Sequence, residues 1–170
     1  KVYLKGDYPA MFQKLETTTR EKLQEMRAYS NGNLEFEFIN PSDVEDESTR
    51  KENYQKLVDK GLGYTTIQIR EKDGVSEKVI FPAAQVTYRG KTLPLQLLKS
   101  QERVPNAEMI NNSINNLEYE LMNVFYQLKA SDRPKVAFLQ GHGELDKLET
   151  GDLAQSLRDD QLGAVELQAL

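Results

Sequence analysis

The chain has 170 residues, 38% hydrophobic and 29% charged, with a net charge of −5, one His, no Cys and no Trp. The length fits one large domain or one domain and part of a second, since domains usually run to about 100–200 residues. Without Cys there is no disulfide framework, thiol–disulfide exchange, thiolate nucleophile, thiolate zinc site or iron–sulfur cluster, and a single His excludes a multi-His metal centre within one chain. No apolar run approaches the ~20 residues needed to cross a bilayer. The negative charge is concentrated in residues 140–170, where seven acidic side chains face two basic ones. With Lys and Arg unclustered, no nucleic-acid partner is expected, because neutralising a phosphate backbone needs a basic patch. The acidic stretch reads as a solvated helix face, or as a surface for a basic partner.

The chain opens on a strand-like Val2-Tyr3-Leu4 and closes on another strand-like run over 164–170, so it reads as a piece excised from a longer protein. After the first strand, Gly6-Asp7-Tyr8-Pro9 supplies turn and helix-start chemistry. Phe12, Leu15, Thr19, Leu23 and Met26 then form one face of a helix that Asn31-Gly32-Asn33 ends. Leu34-Glu35-Phe36-Glu37-Phe38 alternates apolar and charged, the period of a strand with one buried face, and Asn40-Pro41 stops it. The acidic loop over 42–48 lacks the glycine and terminal Glu of a calcium loop and reads as a lead into a helix. Thr49-Arg50-Lys51-Glu52 has capping-box form, Tyr54, Leu57 and Val58 give a short apolar face, and Gly61 sits where a helix C-terminus uses positive φ.

Three strands are predicted next, over 65–70, 79–88 and 92–98, the last two as a hairpin. Pro82 and Pro94 argue for edge or bulge positions, since Pro cannot donate to a ladder. From Asn106, the residues Ile110, Ile114, Leu117, Leu121, Val124 or Phe125, and Leu128 make a stripe suited to packing on a sheet. The order β-α-β-α-β-β-β-α predicts an α/β fold, a thioredoxin-like mixed sheet over residues 1–132 with no redox motif. Ser131-Asp132-Arg133-Pro134 then marks a boundary. Residues 133–170 read as the first βαβ unit of a second, truncated α/β domain of Rossmann-like type, with a strand at Val136-Ala137-Phe138-Leu139, a helix over 152–158 with Leu153 and Leu157 inward, and a closing strand over 164–170.

The candidate ligand-binding residues are Gly141, His142, Gly143 and Glu144, just past the carboxyl end of that buried strand, where open α/β sheets bind ligands. One reading is a tight strand-to-helix turn with His142 bonded to backbone. The other makes His142 a ligand contact or general base beside Glu144, in a small-ligand receptor or a hydrolase-like enzyme. One His with one Glu is no metal site, no metal or catalytic set is assigned, and no cofactor is expected.

Four segments, Phe38-Ile39-Asn40-Pro41, Glu77-Lys78-Val79-Ile80-Phe81-Pro82-Ala83, Asn112-Ser113-Ile114-Asn115-Asn116-Leu117-Glu118-Tyr119-Glu120 and Pro134-Lys135-Val136-Ala137-Phe138-Leu139-Gln140-Gly141-His142-Gly143-Glu144-Leu145, together resemble the GldG family. These are gliding-motility-associated auxiliary or substrate-binding proteins of ABC transporters in Bacteroidetes. The resemblance implies a non-enzymatic extracytoplasmic component on the periplasmic side of the inner membrane. Its implied partners are ABC permease and ATPase subunits, and its implied anchor is a set of transmembrane segments not present in this chain. The sequence has no GxxxxGK[ST], so ATP hydrolysis would fall to a partner subunit.

Overall fold

Pro9 starts helix α1 (Ala10–Tyr29) in the computed structural model, which describes residues 1–71, 74–99, 106–130, 135–138, 143, 145–146, 148–159 and 163–166. Phe12, Leu15, Thr19 and Leu23 are buried along α1, the stripe that the spacing predicts. Thr19 donates its hydroxyl to the Leu15 carbonyl one turn back at 2.7 Å, which satisfies the one polar group this helix puts into the core. Asn31 and Gly32 carry the chain out of the helix with φ of 52° and 79°.

Helix α2 (Glu47–Asp59) begins earlier than the capping-box pattern at Thr49 suggests. Asp46 is the N-cap: its carboxylate accepts from the Thr49 N–H at 2.7 Å and from the Thr49 hydroxyl at 2.6 Å. A short acidic side chain there satisfies an open helix donor and faces the positive end of the helix dipole. After α2, Gly61 has φ of 79°, and Leu57 and Leu62 turn inward.

The single strand expected over 79–88 is two. β1 (Thr65–Glu71) pairs antiparallel with β2 (Gly74–Ile80), and β3 (Ala83–Tyr88) pairs antiparallel with β4 (Lys91–Gln96). Between the two hairpins the Ala83 N–H donates to the Phe81 carbonyl at 2.8 Å, a three-residue turn centred on Pro82. The proline ring holds φ in the range such a turn uses, so Pro82 marks a break between strands and not an edge position. Pro94 lies in β4 opposite Gln85. Arg89 and Gly90, with φ of 48° and 81°, form a two-residue turn whose handedness matches the strand twist.

The two strands expected near the N-terminus are single bridges. Val2 pairs in parallel with Phe38 and antiparallel with Ala84. The Val2 N–H donates to the Glu37 carbonyl and the Ile39 N–H to the Val2 carbonyl, both at 2.8 Å. On the other side the Tyr3 N–H donates to the Ala83 carbonyl at 2.9 Å and the Gln85 N–H to the Lys1 carbonyl at 2.8 Å. Residues 37–39, Val2, β3 and β4 therefore lie side by side in that order.

Helix α3 (Asn106–Lys129) joins α1 on one face of this arrangement, where Ile110, Leu117, Leu121 and Val124 share a core with Val2, Leu4, Leu15 and Ala84. Lys22 ties the two helices through Glu118 at 3.0 Å, and buried Ser113 accepts from the Lys99 N–H at 3.2 Å. On the other face Tyr3, Phe81 and Ala83 form a second core with Leu57 and Leu62. The described residues thus make a mixed α/β structure with four helices, two small antiparallel sheets and one parallel strand pair.

The chain divides into two units, 1–128 and 129–170. In the second, β5 (Lys135–Phe138) and β6 (Gly163–Glu166) pair in parallel, with α4 (Gly151–Asp159) between them in sequence. Leu153, expected inward, is exposed; Ala154 is the buried residue and Leu157 is half-buried, so the inward face of α4 is set by the 154/157 pair. Part of the acidic excess has a local role here. Asp146 Oδ1 accepts from the Glu149 N–H and the Glu149 carboxylate accepts from the Asp146 N–H, both at 2.9 Å, a reciprocal cap ahead of α4.

Candidate functional site

Of the four candidate residues, Gly141, His142 and Glu144 lie outside the described residues. Gly143 has φ of 94°, with open space where a Cβ would sit, so the backbone there uses the freedom that glycine provides.

The first unit carries a cleft that the sequence did not single out. Val2 and 37–39 run in parallel, and the loops beyond their carboxyl ends diverge to leave a cleft of about 760 Å³. Gly6, Asp7 and Tyr8 supply one wall; Glu47, Arg50, Lys51 and Tyr54 of α2 supply another; Asn40, Ser42, Glu77, Lys78 and Val79 complete it.

Local chemistry fixes several of these groups. The Ser42 N–H donates to Asn40 Oδ1 at 3.0 Å, which holds the turn after 37–39 and brings Ser42 Oγ within 2.7 Å of the Tyr54 hydroxyl. The Tyr8 hydroxyl donates to the Lys5 carbonyl at 2.9 Å, closing the loop ahead of α1. Burial pushes the Tyr8 phenol up to about 12, with Glu16 and Tyr54 adding to the rise, so Tyr8 stays protonated and acts as a donor. Lys51 pairs with Glu47 at 2.7 Å and holds that carboxyl below its ordinary value, while Lys78 lies 4.0 Å from the Asp7 carboxylate.

Three carboxylates, Asp7, Glu47 and Glu77, balance three cations, Arg50, Lys51 and Lys78, around the opening. Such a surface suits a polar or zwitterionic group, or a stretch of peptide, better than a polyanion. The Ser42–Tyr54 pair holds two hydroxyls together at one wall of the cleft. Among the described residues no three His or acidic side chains converge as metal ligands.

The cleft residues come from four separated stretches of sequence, and what brings them together is the path of the backbone. One local signal existed. Gly6-Asp7 follows the Val2 bridge, the position relative to β-structure that Gly141 holds after its expected strand, and its turn chemistry marks a loop there.

The fold and the cleft define a mixed α/β domain with a polar recess beyond its parallel strand pair. Residues 1–87 match a family described as a domain of unknown function, DUF7088, and the chain belongs to that family. Every residue lining the cleft falls inside the matched stretch. No curated protein and no solved structure matches the chain.

Proposed function

We propose that the protein is a non-enzymatic extracytoplasmic component of an ABC-type transport system associated with gliding motility, acting by binding protein or ligand. The transport assignment is supported by the resemblance of four separated segments to GldG-type proteins. In this reading ABC permease and ATPase subunits are the partners, ATP hydrolysis is theirs, and the longer protein is anchored on the periplasmic side of the inner membrane.

The first unit is proposed to be thioredoxin-like. Val2 has a parallel neighbour on one side and an antiparallel one on the other, the β3–β4 hairpin follows, and helices succeed the first two strand segments. The β1–β2 hairpin would be an addition to that layout. Because the chain has no Cys, the layout serves as scaffold and binding surface.

The observation that carries the binding role is the charge-balanced cleft at the carboxyl ends of the parallel pair. The test is a detergent pull-down of the full-length membrane protein with its permease and ATPase, beside a variant carrying Arg50→Glu and Lys51→Glu. Co-purification that the double variant weakens supports the reading. Absence of any association with the transporter subunits would sink it.

A further inference from the structure

The charges around the cleft do not all neutralise one another. Lys51 is taken by Glu47 at 2.7 Å, and Lys78 lies 4.0 Å from Asp7. Arg50 and Glu77 are then the lining ions without an ion-pair partner among the described residues. They stand on different elements, Arg50 near the start of α2 and Glu77 within β2. One cleft thus holds an unspent cation on one wall and an unspent anion on another.

The groups beside Arg50 are donors. Tyr54 follows it by one helical turn on the same face of α2 and meets Ser42 Oγ at 2.7 Å. Two hydroxyls joined by one hydrogen bond spend one proton on the pair and leave the other free to donate. Of the five N–H donors of the guanidinium, a single long bond of 3.5 Å to the Val44 carbonyl occupies one. The acidic residues at the start of its own helix are engaged elsewhere: Asp46 accepts from Thr49, and Glu47 pairs with Lys51. Donors without acceptors around a planar fork suit a carboxylate, which only accepts and binds such a fork through both oxygens. On the other wall Glu77 shares a strand face with Val79, which packs on the second core as Tyr54 does. Its carboxylate suits an ammonium. Asp46 and Glu47 also lie in the field of Arg50, so a bare anion would be repelled where a ligand carrying its own positive charge is not.

We propose that the cleft binds a small zwitterion, an amino acid or a short peptide with both ends free. Its carboxylate sits on Arg50 and the spare hydroxyl of the Ser42–Tyr54 pair, and its ammonium sits on Glu77. The inference rests on the reading of this cleft as the binding site and adds the class of ligand to it. Each end contributes about tenfold or more to affinity, the size expected of a hydrogen bond to a charged group. A ligand with one end blocked leaves either Arg50 or Glu77 unanswered.

The test is an NMR titration of the full chain with alanine, dialanine and trialanine, followed at the Ser42 and Tyr54 amides. The N-acetylated and C-amidated forms of the tightest binder are then titrated in the same way. A Kd of about 1 mM or below is expected for the free-ended probe. Blocking either end should weaken it by about tenfold or more. Arg50→Gln should remove the sensitivity to amidation and keep that to acetylation, and Glu77→Gln should do the reverse. Each variant therefore reports on its own folding through the discrimination it keeps. No shift of the cleft amides with any free-ended probe overturns the proposal, as do blocked forms that bind as well as free ones or a variant that keeps the discrimination it should lose. No transporter subunit takes part, so failure here leaves the transport reading standing, and a failed pull-down leaves the zwitterion site standing.

Discussion

The Val2 strand ends in two unlike openings. At its carboxyl end the chain turns into loops and helix starts, and the recess there is polar, charge-balanced and built of side chains from separate segments. At its amino end a groove is lined by residues 34–37 and 84–87, with Leu23, Leu121 and Phe125 among its apolar contacts. Strand direction explains the difference. Loops gather where parallel strands end, and they bring polar side chains and bends. The carboxyl end is thus suited to reading side chains or small polar groups.

The largest expected effect breaks both ends together. Leu4 is fully buried two residues beyond Val2, in the core shared with α1 and α3. Leu4→Ala should cost about 2–5 kcal/mol in urea denaturation, and an effect below about 1 kcal/mol would place the strand outside the core. Tyr8→Phe acts at the carboxyl end alone. It removes the bond to the Lys5 carbonyl and should cost about 0.5–1.5 kcal/mol. It also changes the alkaline limb of stability. The fold favours the neutral phenol, so the contribution of Tyr8 is complete below the usual tyrosine pKa of about 10. It is lost as the pH rises through the folded value of about 12. Tyr8→Phe should flatten that loss, and an unchanged alkaline profile would contradict the assignment.

A smaller effect is expected at Asp46, which caps the helix forming one wall of the cleft. Hydrogen bonds from Thr49 hold its carboxyl below the ordinary value. Its stabilising contribution is therefore present above the unfolded pKa of about 3.9 and is lost as the pH falls through the lower folded value. Asp46→Ala should lower Tm by a few degrees at neutral pH and leave stability less sensitive to acid. Asp46→Asn should keep most of the cap, since its side-chain oxygen still accepts from Thr49. The smallest expected effect is that of His142→Ala on thermal shifts against sugars, peptides and nucleotides. A ligand present at about a hundredfold excess over Kd stabilises by about 2.7 kcal/mol. The binding-module account expects no shift that depends on His142, and a shift lost in the variant would favour the receptor or enzyme reading.

Much of the first unit was legible because its signals are local. The α1 stripe from Phe12 to Leu23, the α3 stripe from Ile110 to Leu128, the helix stop at Asn31-Gly32-Asn33 and the positive φ of Gly61 each depend on a few neighbouring residues. The run from Val79 to Tyr88 misleads because both hairpins bury apolar side chains across Pro82, and a proline fits an edge strand as well as a break. Only the tertiary pairing of Ile80 with Thr65 and of Ala83 with Gln96 separates them. Leu153 and Ala154 show the same limit on a short helix, where a shift of one residue changes which side chain faces in. The cleft was the least legible feature, since nothing in the neighbourhood of Arg50 in sequence points to Gly6 or Lys78.

The most direct test of the placement of Val2 between 37–39 and β3 is amide hydrogen exchange. The Val2, Tyr3, Ile39 and Gln85 amides all donate across the bridges on either side of Val2. These four should exchange slowly. Val2 and Ile39 amides exchanging at the rate of an unprotected peptide would contradict the account.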